Sequence, residues 1–207
     1  MSEATKKGKA AGDRLKPPAA ERIRSTAREL FYRQGIRAIG VDEIVQRAGV
    51  TKPSLYRSFP SKDELAADCL RQYDREFWQR FEAAVAAHPG DPRAQVLAYL
   101  KGLAKRAVKP GYRGCGLTNA AVEYPLRGHP ARLVAEESKH RLRRRLRVMA
   151  KPMGARSPAA LADSLLLLFE GAFASAQIFG PGGPAARVAL TAEAVIDAAL
   201  AAPRRKA

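Results

Sequence analysis

The chain has 207 residues, a formal net charge of +17 and an apolar fraction of 46%, enough for a core of ordinary size. That charge points to a polyanionic partner, nucleic acid first, because lysine and arginine neutralise phosphates and release counterions. An acidic membrane surface fits less well: the basic residues do not oppose a tryptophan-bearing apolar face, and the longest apolar run, Leu165 to Phe169, is too short to cross a bilayer.

In chain order, residues 1–20 are rich in Lys, Gly, Ala and Pro, with almost no large apolar side chains to repay ordering. They read as a disordered basic arm, either a solvating tail or an arm that follows the DNA backbone or minor groove. No signal peptide is legible there, so a cytoplasmic protein is expected. A helix beginning near Glu21 carries an apolar stripe of Ile23, Ala27, Leu30 and Phe31 and ends at Gly35. Val41, Ile44, Val45 and Ala48 mark a short second helix, which Gly49 stops by accepting a left-handed backbone. Thr51 offers an N-cap hydroxyl to a third helix, and Pro53 sits in its first turn, where a missing N–H costs little. Leu55 and Phe59 turn inward by helical pitch. Ser61-Lys62-Asp63-Glu64 is a capping box for a longer helix, along which Leu65, Ala66, Leu70, Tyr73, Phe77 and Phe81 recur. That helix outlasts the N-terminal unit and bridges two compact parts.

His88-Pro89-Gly90 breaks the pattern, and Asp91-Pro92 starts another helix, with Val96, Leu97, Leu100, Leu103 and Ala104 on its apolar face, ending at Lys109-Pro110-Gly111. A short helix follows from Leu117 to Tyr124, then a long one from about Pro130 to Lys151. Its HRLRRRLR run (His140 to Arg147) is a candidate second nucleic-acid patch or a solvated helix face over Leu142, Leu146 and Met149. Ser157-Pro158 caps a helix from about Ala159 to Phe179 that is apolar on more than one face. After a turn at Gly180 to Pro184, a last helix runs to about Ala202. No segment alternates like a strand. The fold class is therefore all-α, with about nine helices, and the chain divides into a basic arm (1–20), a compact N-terminal unit (21–63) and a helical remainder (64–203).

Two short helices around a tight turn, at once followed by a longer helix, make a helix-turn-helix, whose second helix enters the DNA major groove. Gly35, Val41-Asp42-Glu43-Ile44, Ala48-Gly49-Val50, Leu55-Tyr56, Phe59 and Ser61 to Leu65 resemble the DNA-binding module of the TetR (tetracycline repressor) family of bacterial transcription regulators. The resemblance covers roughly the first third of the chain. It implies that Thr51, Lys52, Tyr56 and Lys62 touch the DNA backbone, while Pro53, Ser54 and Arg57 reach base edges. Arg57 has the geometry for a bidentate contact to guanine. The sequence departs from the family at Gly40 (often Ser or Thr), Pro53 (often Gly or Ala) and Ser58 (often His). The Arg113 to Ala121 stretch, with Glu123-Tyr124-Pro125 and His129-Pro130, resembles one branch of the family.

One module reads half a site, so specific binding to double-stranded operator DNA calls for a homodimer. The last two helices are the expected interface, with Gly171, Ala172, Ala174 and Ser175 small enough for close approach. The resemblance also implies a pocket for an unknown small-molecule effector. Asn119, Glu123 and Gln177 are candidate polar anchors, and Phe77, Trp78, Phe81, Tyr99, Tyr124, Phe169 and Phe173 candidate walls. Glu123 suits either a cationic ligand or a salt bridge with an arginine. The expected function is a ligand-responsive, homodimeric repressor. A redox-sensing regulator using Cys115 and a low-specificity DNA-coating protein are the alternatives. Cys69 and Cys115 read chiefly as reduced, buried thiols. No metal-ligand spacing, cofactor motif or catalytic elbow is legible, so neither a cofactor nor catalysis is expected.

Overall fold

A computed structural model of the chain describes residues 17–201; residues 1–16 of the expected basic arm lie outside them. Among the described residues there are nine α-helices, one 3₁₀ turn (Pro184–Arg187) and no strand. Helices α1 (Ala19–Gln34), α2 (Val41–Ala48) and α3 (Lys52–Ser58) form an N-terminal head. Then follow α4 (Lys62–Ala86), α5 (Pro92–Ala107), α6 (Gly116–Glu123), α7 (Pro130–Ala150), α8 (Pro158–Phe179) and α9 (Val188–Leu200). The first helix starts two residues before its expected onset, because the Pro18 carbonyl already accepts from the amides of Glu21 (3.0 Å) and Arg22 (3.1 Å).

The head closes around Ile23, Ala27, Leu30, Phe31, Ile44 and Leu55, all buried. Each large aliphatic or aromatic side chain of this kind contributes about 1.5–3 kcal/mol by leaving water. Gly49 adopts φ 62°, ψ 44°. This left-handed step reverses the chain between α2 and α3 and lets the Val50 amide donate to Val45 at 3.0 Å. The last carbonyls of α2 find a second partner in Arg22, which donates to Ala48 at 3.1 Å and to Gly49 at 3.2 Å. One side chain thus satisfies the end of α2 and ties it to α1.

At the start of α4, the Ser61 hydroxyl accepts from the Glu64 amide at 3.1 Å. The reciprocal half of the expected capping box is not made; the Glu64 carboxylate lies 4.0 Å from Arg71 instead. Helix α4 is the bridge. Arg24 reaches Asp68 at 2.5 Å, and Arg28 grips both oxygens of Glu76 at 2.5 Å, pinning α1 along it. Burial of Glu76 works against its charge, but the Arg28 fork and Gln72 outweigh it, and the carboxyl sits below its usual range.

Behind α4, Phe77, Trp78, Phe81, Tyr99 and Phe169 interlock with ring centroids 5.2 to 5.5 Å apart. Helix α7 packs on α4, α6 and α8 through Leu142, Leu146 and Met149. Its arginine run is partly a clasp: Arg141 covers the Trp78 ring at 4.2 Å, Arg143 pairs with Asp163 at 2.5 Å and Arg145 with Glu82 at 3.1 Å. Three of the side chains in the candidate second nucleic-acid patch are therefore engaged within the chain.

By length and composition, α8 is apolar enough to cross a membrane, which the count of contiguous apolar residues did not anticipate. Here it packs on α5, α7 and α9, burying Leu161, Leu165, Phe169 and Phe173. One stripe of it faces outward: Leu167 is 73% and Ile178 74% exposed, in line with exposed Gly171 and Ala174. Leu190 on α9 is also exposed. Of the four small residues expected at an interface, Ala172 instead faces its own core.

Candidate nucleic-acid interface and interior cavity

Helix α3 presents a polar face over an apolar anchor. Leu55 is 0% exposed and Phe59 buried, while Tyr56 is 50% exposed and Thr51, Lys52, Pro53 and Arg57 lie open to solvent. The Thr51 hydroxyl caps the helix by accepting from the Ser54 amide at 3.4 Å. Arg57 donates to the Ser54 hydroxyl at 3.2 Å, which holds the guanidinium along the helix. Lys52 pairs with Asp42 at 2.7 Å, and that hydrogen bond raises its pKa. Both members are exposed, so a phosphate competes for this lysine at little cost. Lys62 differs from the others: it is half-buried, and its ammonium lies 3.5 Å from the Arg37 carbonyl in the α1–α2 turn. Burial lowers its pKa against the pull of Asp63 and Glu123. The structure thus places Thr51, Lys52, Pro53, Ser54, Tyr56 and Arg57 on one short helix and its cap, and Lys62 at the start of α4 against the α1–α2 turn.

Between α1, α4, α5 and α6 lies a cavity of about 580 Å³, within the range of small-molecule sites. Of the residues picked from sequence, Phe77, Tyr99, Asn119, Glu123 and Phe173 line it. Trp78, Phe81, Tyr124, Phe169 and Gln177 do not. Phe81 and Phe169 are wholly enclosed in the aromatic core, and Trp78 sits under Arg141. The Tyr124 ring stacks on His129 at 3.6 Å, and Gln177 lies against Gly114.

Arg28, Tyr32, Tyr73, Arg80, Arg106 and Tyr112 also line the cavity and were not singled out by sequence. A signal existed: Tyr73, Glu76, Phe77 and Arg80 follow i, i+3, i+4, i+7 on α4, so charged groups share a stripe with aromatics. Burial is the main reason the hydroxyls of Tyr32, Tyr73, Tyr99 and Tyr112 all have raised pKa values, that of Tyr99 to about 12.

The wall of the cavity touches the head at named atoms. The Glu123 carboxylate accepts the Arg37 amide at 2.9 Å and lies where a Cβ on Gly35 would sit only 3.1 Å away. Its partner is a backbone N–H of the α1–α2 turn, and among the described residues it makes no salt bridge with an arginine. The Tyr32 hydroxyl donates to the Gly114 carbonyl at 3.2 Å and accepts from the Arg113 amide at 2.9 Å. His129 uses Nδ1 to accept from the Ala131 amide at 3.2 Å, leaving Nε2 to face Asp63 of α4 at 3.3 Å.

Cys115 is 1% exposed. Lys139 lies 3.3 Å from its sulfur and 2.6 Å from Glu170. Burial alone would lower the Lys139 pKa, but the sulfur and the Glu170 carboxylate outweigh it and raise it. Cys69 is also buried, and that burial pushes its thiol up to about 12.

Residues 23–69 match the family described as bacterial regulatory proteins, tetR family. The fold is similar to a TetR-family transcriptional regulator from Streptomyces coelicolor, with a TM-score of 0.81 and 29% identity over 88% of this chain and 96% of that one. A tetR-type transcriptional regulator from Streptomyces avermitilis is 34% identical with a TM-score of 0.71, covering 88% of this chain and 98% of its own. The HTH-type transcriptional regulator LmrA of Bacillus subtilis is 29% identical over 120 residues, 57% of this chain and only 63% of LmrA's length. Together with the helix-turn-helix geometry, these likenesses establish that the chain belongs to the TetR family of transcriptional regulators.

Proposed function

We propose that the protein is a cytoplasmic homodimeric repressor: its two heads read an operator, and a small molecule in the cavity releases it. The observation that carries this reading is the Glu123 contact, because one residue lines the cavity and holds the α1–α2 turn of the head. A ligand that prefers a displaced α6 favours a displaced head, and release follows by population shift. On this reading the division near residue 63 separates head from effector part. Tyr56, Lys52 and Thr51 seat the head on phosphates, and Ser54, Pro53 and Arg57 read bases. Lys62 joins the phosphate contacts after leaving the Arg37 carbonyl. The exposed α8 stripe through Leu167 and Ile178, with α9, supports the dimer interface.

Selection from a random-sequence duplex library tests the proposal. The expected product is a palindrome whose half-sites lie about one helical turn, or a multiple of it, apart. Absence of any enriched sequence would instead support a basic coating protein driven by its charge.

A second reading, redox sensing, is favoured by the Lys139–Cys115 approach, which sets a cation beside the sulfur as a reactive thiol requires. The burial of Cys115 opposes it. A peroxide-induced loss of DNA binding that Cys115→Ser abolishes would support it.

A further inference from the structure

The side chains around the cavity are unevenly occupied. Each carboxylate already has a partner: Glu76 accepts from Arg28 and Gln72, Glu123 from the Arg37 amide, and Glu29 lies 3.4 Å from Arg33. The cations are less engaged. The nearest carboxylate to Arg80 is Glu76 at 4.0 Å, already held by Arg28, and the Arg80 Nε is buried with no partner among the described residues. Arg106 lies over the Tyr99 ring at 5.3 Å, with no carboxylate within 4.0 Å among the described residues. It folds back over Gly102, where a Cβ would stand 3.2 Å from its Nη1. The Tyr112 hydroxyl is likewise buried and unpartnered.

A buried donor without an acceptor costs about 1–3 kcal/mol, more if it is charged. Two donors that line the cavity, the Arg80 Nε on α4 and the Tyr112 hydroxyl in the loop after α5, share that deficit, and Arg106 on α5 adds a guanidinium with no carboxylate partner among the described residues. An acceptor-only, negatively charged group removes it; a cation or a neutral hydrocarbon does not. Phe77, Leu103 and Phe173 add apolar lining to the same cavity, which suits a hydrophobic body.

We propose that the effector is an organic anion, its carboxylate- or sulfonate-like group held by Arg80 and Arg106 with a hydrogen bond from Tyr112, and its aromatic or aliphatic body against Phe77 and Phe173. This rests on the cavity being the effector site. It assigns the cavity a charge preference that aromatic lining alone does not give.

Two dyes sharing one frame test it: 8-anilinonaphthalene-1-sulfonate, which carries the anion, and N-phenyl-1-naphthylamine, which lacks it. Fluorescence titration of the full chain should give one saturable site per chain with the sulfonate dye bound about tenfold tighter or more, the scale of a charge-assisted hydrogen bond. Arg80→Gln with Arg106→Gln should erase the preference and leave the neutral dye's affinity unchanged. Lys101→Gln with Lys105→Gln, which removes equal charge from the exposed side of α5, should keep it. Should the arginine pair fail to fold by circular dichroism, Tyr112→Phe is the second probe, lowering sulfonate affinity about threefold and sparing the neutral dye.

Equal affinity for both dyes would overturn the anion assignment and leave the cavity intact as a site. Loss of preference in the lysine variant as well, or unchanged sulfonate affinity in Tyr112→Phe, would overturn it by tracing the preference to overall charge. Saturable binding of neither dye would remove the cavity as a site, and the ligand arm of the proposed function with it.

Discussion

The head and the helical part behind it are built on opposite plans. In the head, short helices close on a filled core, and the chain between them is fixed by one left-handed glycine, one hydroxyl cap and one arginine that satisfies the end of α2. Behind it, longer helices pack tightly on one side, around Phe81 and Phe169, and leave a void on the other, between α1 and α5. A solid head keeps the spacing of its DNA-facing side chains. The helical part, with its cavity, has room to rearrange. The two parts meet along α4, to which Arg24 and Arg28 pin α1, and at the Glu123–Arg37 and Tyr32–Gly114 bonds.

Equal truncations in the two regions separate the plans most sharply. Leu55 and Leu103 are both buried, but Leu103 borders the cavity, where its neighbours have room to relax after truncation. Leu55→Ala should cost about 4–5 kcal/mol and Leu103→Ala about 2–3 kcal/mol in urea unfolding, opposite ends of the range for such changes. Equal costs would mean that the cavity wall is packed as well as the head.

The next effect is on assembly. Leu167→Glu with Ile178→Glu places charge on the α8 stripe. Sedimentation should show a monomer, with operator affinity down about 100-fold or more because one head reads only half a site. A dimer that persists would move the interface elsewhere.

A smaller effect is expected where the regions meet. Glu123→Ala removes a charged acceptor from the Arg37 amide and should weaken operator binding about threefold to tenfold. Dye binding in the cavity should change less. An unaltered operator affinity would remove this contact from the coupling.

The mildest expected change is with alkali. Burial holds the Cys69 thiol up near 12 from 9.0 and the Tyr99 hydroxyl up near 12 from 10.0. Between those limits the folded chain keeps protons that the unfolded chain releases. Stability is therefore complete below about pH 9 and falls as pH rises towards 12. Urea midpoints at pH 8, 9.5 and 10.5 should decline in order; a flat series would contradict this burial.

The head was legible because its signals are local. Gly49, Thr51, Pro53 and Ser61 each dictate the backbone of their own neighbours, so their spacing alone gives the helix-turn-helix. The cavity was legible only in part. An aromatic at helical spacing looks the same whether it meets a ring or a void, so Phe77 and Phe169 were indistinguishable by sequence. Only the packing of α5 on α4 and of α8 on α5 sorts one to the cavity and the other to the core. Arg80 and Arg106 were not singled out among the many basic residues of the chain. The membrane-length character of α8 was missed because Asp163-Ser164 and Glu170-Gly171 cut its apolar run short, while only two charges in the helix leave it apolar as a whole.

The central claim is that the exposed face of α3 reads sequence and is not merely an anchor for a charge of +17. Its most direct test is binding at physiological salt to the selected duplex and to random duplex, for the wild type and Arg57→Ala. The account predicts a wild-type preference of about 1,000-fold or more. Arg57→Ala should cut that preference by about tenfold or more while leaving random-duplex affinity nearly unchanged. Equal wild-type affinity for both duplexes, or an Arg57→Ala loss that is the same on each, would contradict it.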